Sequence, residues 1–200
     1  MILSGNEIKK YLDISSTQGI VDKGISIHPY PQYIGPNSVD LTLSNKLLTI
    51  EPNIWEHGEA TINNLFGSMN KIFDTKVSPS ITEIIIPEEG FLLEPQSFYL
   101  GSTVEKTKTL GFVPCIESRS TIARYGIIVH LSAGKGDNGL GMLTEHGCSW
   151  TLEMFNVNKY PVRIYPNMRI CQISYLEMVG NGPLYNGHYV NQEGPVPPRL

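Results

Sequence analysis

The sequence predicts a mainly β fold, either a sandwich or a barrel. The chain has 200 residues, and its 19 glycines and 14 prolines separate apolar runs that are mostly short. Several of these runs alternate strictly between apolar and polar residues, which is the period of a half-buried strand. A chain of this length can bury a substantial core as one domain. We therefore expect a single β domain over residues 1–200.

Composition narrows the classes of function. The net charge of −4 disfavours the broad basic surface of a duplex-binding protein, so we expect no nucleic-acid partner. Cys115, Cys148 and Cys171 are widely spaced and odd in number, which fits reduced thiols in the cytoplasm. No apolar run is long enough to span a membrane, and the N-terminus lacks the pattern of a secretion signal. The sequence thus predicts a cytoplasmic protein without a membrane partner.

The first part of the chain predicts one helix followed by strands. Ser4 and Glu7 have the spacing of a capping box, which predicts a short helix over residues 4–13 with Ile8, Tyr11 and Leu12 on one face. Residues 25–37 contain several prolines and glycines and should be extended or looping. Alternation over residues 38–43 predicts a strand with its apolar residues inward, and 47–50 continue or partner it. Residues 53–80 are interpreted as a long excursion.

The remaining chain is rich in predicted strands. Strand character is found at residues 83–87, 91–93, 98–100, 112–115, 127–131, 149–156, 162–165 and 168–175. Residues 121–125 suggest one or two helical turns that stop at Gly126. The tail, about residues 180–200, carries glycines and prolines but few apolar residues. We expect it to be disordered or to be ordered by a ligand as a lid.

Two side chains of the short helix could hold an anion. Ser120 and Arg124 are four residues apart and therefore project from one helical face. A hydroxyl beside a guanidinium can bind a phosphate or a carbonyl oxygen, because arginine offers a rigid fork of donors. The alternative, that Arg124 lies on a solvated face and Ser120 near a cap, stays open on this pattern alone.

Glu153 is a candidate general base. In residues 149–156, Trp150, Leu152 and Met154 share one face of the predicted strand, and Glu153 lies on the other. A glutamate among so many apolar neighbours should be partly buried, which favours its acting as a base near neutral pH. The alternative is that the face of Glu153 simply meets solvent.

Two other motifs are weak. Residues 134–139 match the G-x-G-x-x-G spacing, but no helical pattern follows, so we reject a dinucleotide-binding turn. Asp137 in this segment could cap the turn or contact a sugar hydroxyl. His146 and Cys148 have no partners at metal-ligand spacing, and the signature of zinc-dependent deaminases is missing. We expect neither zinc nor another metal held by the protein alone.

Taken together, several segments resemble the deoxycytidine triphosphate (dCTP) deaminase family, which is related to the trimeric dUTPases. The resemblance covers most of the chain except residues 53–80, and the segments occur in the family's order. They are Ser38-Val39-Asp40-Leu41, the run from Ser118 to Arg124, Val129-His130, the run from Leu152 to Asn156, and the tail from Tyr189 to Pro195.

The resemblance implies a distorted, dUTPase-like β-barrel in a homotrimer, with sites between subunits. It further implies zinc-independent deamination of dCTP to dUTP and ammonia, with Mg²⁺ bound together with the triphosphate. Glu153 would be the general base, Ser120 and the backbone of Ala133 would position the water, and Arg124 would polarise the reacting centre. Asp137 would contact the deoxyribose.

Further roles follow from the same resemblance. Arg119 and Ser120 would hold phosphate oxygens, Tyr185 and Gln192 would close over the triphosphate, and His130 would regulate the enzyme with dTTP as inhibitor. The full set of implied substrate-binding residues is Arg119, Ser120, Thr121, Arg124, Asp137, Thr151, Leu152, Glu153, Tyr185, His188 and Gln192.

The chain departs from the family pattern in two places. Asn138-Gly139-Leu140 stands where the family has a Gly-Trp pair, and the connection from there to Glu153 is longer. His188 stands where the family has a lysine, which would weaken phosphate contacts unless the histidine is charged. Three hypotheses remain: a deaminase that releases dUTP, a bifunctional enzyme that forms dUMP and pyrophosphate, and a nucleotide-binding regulator without catalysis.

Overall fold

The computed structural model describes residues 1–52, 73–131, 133–180 and 182–199, and within these ranges the protein is mainly β. Residues 53–80 were interpreted from sequence as a long excursion, and most of this segment, residues 53–72, lies outside the described residues. The helices are α1 (Gly5–Gln18) and α2 (Ser120–Arg124). The strands are β1 (Gly24–His28), β2 (Val39–Thr42), β3 (Lys46–Glu51), β4 (Ser80–Ile85), β5 (Phe91–Leu93), β6 (Phe98–Ser102), β7 (Lys106–Leu110), β8 (Phe112–Ser118), β9 (Ile127–His130), β10 (Thr151–Asn156), β11 (Val162–Ile164) and β12 (Arg169–Glu177).

The strands form four antiparallel sheets. The largest has the order β4-β3-β6-β10-β9, and a second has the order β2-β12-β8. Two short pairs, β1-β7 and β11-β5, complete the described architecture. Within the described ranges the strands therefore enclose the core as several short sheets, which is compatible with a distorted barrel.

One hydrophobic cluster lies between these sheets. Leu41 of β2, Leu47 of β3, Leu152 of β10 and Ile173 of β12 are fully buried in it. Helix α1 adds Ile8 and Leu12 from one of its faces. Each such side chain contributes on the order of 1.5–3 kcal/mol by leaving water. The alternation in the sequence correctly identified the inward faces of β2 and β10.

Helix α1 begins as predicted and ends later than predicted. The backbone N–H of Glu7 donates to Ser4 Oγ at 3.3 Å, which confirms Ser4 as the N-cap. The predicted end at residue 13 is wrong, because the helix continues to Gln18 through a polar segment. The hydroxyls of Ser16 and Thr17 donate to the carbonyl oxygen of Asp13 and so stay within the helix. Among the described residues, neither helix is long and apolar enough to cross a membrane.

Strand β7 is missing from the sequence-based prediction. Its sequence alternates lysine with threonine, so no apolar face is visible. In the structure Thr107 and Thr109 point inward and are almost completely buried. The hydroxyl of Thr107 accepts a hydrogen bond from Trp150 Nε1 at 2.9 Å. Burial of a face made of threonines, of which Thr107 is hydrogen-bonded, explains why hydrophobic periodicity did not identify this strand.

Candidate active site

A cavity of about 520 Å³ lies between β10, the glycine-rich turn and the C-terminal tail. Its apolar wall includes Leu100, Leu131, Leu140 and Trp150. Predicted site residues line the same cavity: Ala133, Asp137, Thr151, Glu153, Tyr185 and Gln192. The structure thus brings together residues that are separated by up to about sixty positions in sequence, in a space with an apolar wall and a few polar groups, as is typical of a ligand site.

Strand β10 places Glu153 in the wall of this cavity. Glu153 lies opposite Leu100 of β6 on one side and His130 of β9 on the other. Its neighbours Leu152 and Met154 point into the core and are fully buried, so Glu153 itself faces the cavity and is half-buried. A carboxylate in this position can exchange a proton with a water or substrate held in the cavity.

Trp150 fixes one wall of the cavity. Its ring is buried, its Nε1 donates to Thr107, and its backbone N–H donates to Thr103 Oγ1 at 3.0 Å. Gly136 of the glycine-rich turn lies directly against the ring, and a Cβ at this position would collide with it. This glycine therefore permits close approach of the turn to Trp150. The turn leads to β10 without an intervening helix, as the sequence pattern predicts.

The longer connection, residues 138–148, folds mainly against β7. Gly139 N–H donates to the carbonyl of Thr109 at 2.9 Å, and Cys148 forms a bridge with Thr107. The ring of His146 stacks on His28 with 4.3 Å between centroids. Leu140 is the residue of this connection that lines the cavity. The insertion thus changes one wall position, where the family pattern has an aromatic residue.

His146 and Cys148 were weighed as metal ligands from sequence. His146 is engaged with His28, and Cys148 is buried beside the tail, where burial raises the pKa of its thiol. Within the described ranges, no group of three or more histidine, cysteine, aspartate or glutamate side chains is arranged to hold a metal ion.

The C-terminal tail forms the outer wall of the cavity. Tyr185 N–H donates to the carbonyl of Asn138 at 2.9 Å, and Gln192 Nε2 donates to the carbonyl of Ser149 at 2.9 Å. Further along, Val196 N–H donates to Thr151 Oγ1 at 3.1 Å. The tail therefore runs along the start of β10 and covers the cavity. Its ordering by a ligand stays a prediction.

Some residues that line the cavity were not identified from sequence, and His188, which was predicted to bind substrate, lies outside the cavity. Lys135 and Tyr189 line the cavity. Lys135 could have been found, because a lysine between two glycines is a typical anion-binding pattern. His188, predicted to contact substrate, is exposed and does not line the cavity, although its carbonyl accepts a hydrogen bond from Arg199. Leu152 is buried in the core and can contribute through its backbone alone.

Helix α2 lies outside the cavity of its own chain. Ile122 is buried and anchors the helix, whereas Ser120, Thr121 and Arg124 are exposed and do not line the cavity. Gly126, at φ +71°, ends the segment as predicted. A single chain therefore does not bring Ser120 and Arg124 together with Glu153. His130, at the end of β9, is also exposed.

Arg119, just before α2, is held by an acidic residue. Its Nε forms an ion pair with Asp40 Oδ1 at 3.1 Å, and its backbone N–H donates to the carbonyl of Ile170 at 3.4 Å. Asp40 also accepts from Arg169 Nη1 at 3.2 Å. Arg119, like α2, does not line the cavity of its own chain.

The sheet face that carries Glu153 is apolar and partly uncovered. Phe155 pairs with Ile128 of β9 and Phe98 of β6, which places these side chains on the Glu153 face. The same face continues to Ile81 and Ile85 of β4. Ile128 is 50 % exposed and Phe98 43 % exposed. The Lys46–Glu83 ion pair lies on the same face between Ile81 and Ile85, so the exposed apolar side chains form two separate groups.

Comparison with known proteins agrees with the resemblance noted from sequence. A family model described as dCTP deaminase-like matches residues 2–178. The chain is 40 % identical over 202 residues to a protein named "dCTP deaminase, dUMP-forming" from Hathewaya histolytica, with 100 % of this chain and 97 % of the relative covered. A protein of the same name from Clostridium botulinum (strain Alaska E43 / Type E3) is 40 % identical over 199 residues, with 98 % and 95 % covered.

A solved structure shows the same fold. The crystal structure of 2'-deoxycytidine 5'-triphosphate deaminase from Agrobacterium tumefaciens superposes with a TM-score of 0.55 at 17 % identity. The match covers 87 % of this chain and 47 % of that chain, so this protein spans about half the length of the solved one. At this identity the likeness establishes the fold alone.

Proposed function

Because the chain belongs to the dCTP deaminase-like family, we propose that it hydrolyses dCTP to dUMP, ammonia and pyrophosphate. The observation that carries this proposal is Glu153 in the wall of a partly apolar cavity closed by the tail. The relatives named dUMP-forming support the bifunctional hypothesis over the one in which dUTP is the final product. Glu153 also favours an enzyme over a regulator, because binding alone does not need a base.

Deamination consumes the first water. Glu153 accepts a proton from this water as its oxygen attacks C4 of cytosine, and Glu153 passes this proton to N3, where it stays. The remaining proton of the new C4 hydroxyl is then transferred through Glu153 to the amino group. The C4–N bond breaks, ammonia leaves, and a C4 carbonyl remains. A half-buried carboxylate suits both the acceptance and the return of the proton. The apolar residues Leu131, Leu140 and Trp150 limit competing solvent around the base.

The second water cleaves the triphosphate. Its oxygen attacks the α-phosphorus, the bond to the bridging oxygen breaks, and pyrophosphate leaves. The base and the sugar stay in the cavity, where Asp137 is positioned to accept a hydrogen bond from a deoxyribose hydroxyl. Tyr185 and Gln192 in the tail lie over the same space and would hold the nucleotide in place during both steps.

The complete site requires a second copy of the chain. Ser120 and Arg124 are exposed on α2, and the Glu153 face has uncovered apolar side chains such as Ile128 and Phe98. We therefore include a homotrimer in the proposal, in which α2 of one subunit reaches the cavity of its neighbour. Closed symmetric assemblies of this kind bury the same apolar patch on every subunit. Ser120 and the backbone of Ala133 would then position the first water, and Arg124 would polarise the reacting centre.

Mg²⁺ is proposed as the counter-ion of the triphosphate. It would neutralise phosphate charge and hold the phosphate oxygens in a defined conformation. The described residues do not include a carboxylate cluster that could hold the ion by itself. Phosphate oxygens must therefore supply most of its ligands, and neither step above passes through the ion.

Product analysis tests the proposal. The protein is incubated with dCTP or dUTP in the presence of Mg²⁺, and nucleotides, ammonia and pyrophosphate are quantified over time. We expect dUMP, ammonia and pyrophosphate in equal amounts from dCTP. Accumulation of dUTP without pyrophosphate would identify a deaminase that releases dUTP, and tight dCTP binding without turnover would identify a regulator.

A further inference from the structure

Asp40 connects the segment before α2 to the sheet β2-β12-β8. It lies on β2, opposite Gln172 of β12, and its side chain is only 16 % exposed. One carboxylate oxygen forms an ion pair with Nε of Arg119 at 3.1 Å, and the other accepts Nη1–H of Arg169 at 3.2 Å. One acidic group thus holds two guanidinium groups, each through a different oxygen.

Arg119 contacts Asp40 through Nε, which leaves the two terminal nitrogens of the guanidinium outside this contact. This contact is an ion pair, and within the described ranges no other ion pair or hydrogen bond of the Arg119 side chain is found. The side chain is 23 % exposed. A guanidinium fixed at Nε has lost most of its rotational freedom but keeps the donors that bind phosphate oxygens in pairs.

Arg169 determines the charge of this cluster. A pair of Arg119 and Asp40 alone would be neutral and would attract an anion weakly. Arg169 adds a second positive charge and is braced against the ring of Tyr33, with 4.4 Å between its Cζ and the ring centroid. The three residues together carry a formal charge of +1, and Glu105, which lines the same pocket as Asp40 and Arg169, adds a carboxylate beside them. Without Arg169 the negative charges would therefore outweigh the charge of Arg119.

We propose that Asp40 is a positioning residue that orients Arg119 towards the triphosphate, and that Arg169 maintains the positive charge of the Arg119–Asp40–Arg169 cluster. The inference rests on the proposed function, in which Arg119 holds phosphate oxygens. It assigns a task to two residues, Asp40 and Arg169, that do not line the cavity.

Replacing Asp40 by asparagine separates orientation from charge. Asp40→Asn keeps the size of the side chain and raises the formal charge of the cluster from +1 to +2. If charge alone governed binding, the variant would bind dCTP more tightly. If orientation governs binding, the loss of the ion pair releases Arg119, and dCTP binds more weakly. The sign of the change therefore identifies the role.

The experiment measures the affinities of dCTP and dCMP by calorimetry. All variants carry Glu153→Gln, which prevents turnover. We expect Asp40→Asn to weaken dCTP binding about tenfold, equivalent to about 1.4 kcal/mol, and dCMP binding less than about twofold, because dCMP lacks the outer phosphates. Arg169→Gln should weaken dCTP about threefold, with a larger effect at low salt. The matched control is Glu177→Gln, which breaks the half-exposed pair with Lys23, 2.6 Å long and outside the cavity.

A second readout observes Arg119 directly. The side-chain Nε–H of Arg119 should give a slowly exchanging resonance in the nitrogen-proton spectrum, and this resonance should be lost in Asp40→Asn but kept in Glu177→Gln. Unchanged or tighter dCTP binding by Asp40→Asn, or equal losses for dCTP and dCMP, would overturn the inference. So would the loss of a cooperative unfolding transition, since that result would make the role of Asp40 structural.

The parent protein separates this inference from the proposed function. If it binds dCTP and Asp40→Asn binds equally well, only the role of Asp40 is refuted. If the folded parent binds neither dCTP nor dCMP, the proposed function fails, and the inference fails with it.

Discussion

The predicted catalytic residues lie on two elements, Glu153 on strand β10 and Ser120 and Arg124 on helix α2. These elements differ in how far packing within the chain fixes the positions of their side chains. β10 lies inside the largest sheet, where buried neighbours fix which way Glu153 points. α2 is a single short turn of helix anchored by Ile122, and its polar residues Ser120 and Arg124 are exposed. Packing within one chain therefore fixes the position of Glu153. In the proposed trimer, the position of Ser120 and Arg124 relative to a substrate would depend on another copy of the chain.

The largest effect is expected at Glu153. Glu153→Gln removes the proton acceptor but keeps the shape and the neighbours of the side chain, so ammonia formation should fall about 10³-fold. Binding of dCTP should change by less than about tenfold. Ammonia release and calorimetry check the two parts, with Glu177→Gln as the control carboxylate outside the cavity. Substantial residual turnover would remove Glu153 from the mechanism.

The next largest effect is expected for Arg124 on helix α2. Arg124→Ala should lower kcat about 100-fold, because a charged donor near the reacting centre is lost. The oligomer should stay intact, since Arg124 is exposed and α2 is anchored by Ile122. Light scattering measures the assembly alongside the kinetics. A monomeric or aggregated variant would instead assign Arg124 a structural role.

Truncation tests the tail as part of the site. Removal of residues 185–200 deletes Tyr185 and Gln192 from the cavity wall, and dCTP affinity should fall about tenfold or more. The deleted segment is tied to the chain mainly by hydrogen bonds to Asn138, Ser149 and Thr151, so the core should unfold at nearly the same temperature. A large loss of thermal stability without nucleotide would contradict the role as a lid.

The smallest effect is expected for the pH dependence of the contact between Lys106 and Glu193 of the tail. Lys106 lowers the pKa of the Glu193 carboxyl below its ordinary value, chiefly through a hydrogen bond. The pair therefore stabilises the tail at pH values above the ordinary pKa of a glutamate. This stabilisation is lost as the pH falls through the lowered pKa of Glu193. Protection of the amides of residues 192–196 against hydrogen exchange, taken relative to the intrinsic exchange rate at each pH, should fall on acidification, and Glu193→Gln should show weak protection already at neutral pH. Protection that is independent of both changes would show that the pair does not hold the tail.

The elements with apolar alternation were predictable from sequence. The inward faces of β2 and β10 follow from their period of two, and α2 follows from its glycine stop. Strand β7 was missed because Thr107 and Thr109 are buried where apolar residues were expected. The end of α1 was placed too early because Ser16 and Thr17 bond within the helix.

The site was only partly predictable. Cavity residues on β10 and in the glycine-rich turn could be identified because local structure orients them. Lys135 and Tyr189 were missed, since their place in the wall depends on how the turn and the tail fold back. A sequence also does not show which subunit contributes a residue to a site. Ser120 and Arg124 could therefore be identified as site residues, but their positions relative to Glu153 could not be predicted. Regulation through His130 and inhibition by dTTP stay predictions.

The most direct test of the shared site is complementation between two inactive variants. Glu153→Gln and Arg124→Ala chains are mixed in equal amounts, unfolded, refolded together and assayed for ammonia release from dCTP. If each site takes Glu153 from one subunit and Arg124 from its neighbour, random assembly should restore activity at about a quarter of the sites. Variants refolded separately and then combined serve as the control. Activity no higher than that control would contradict a site built between subunits.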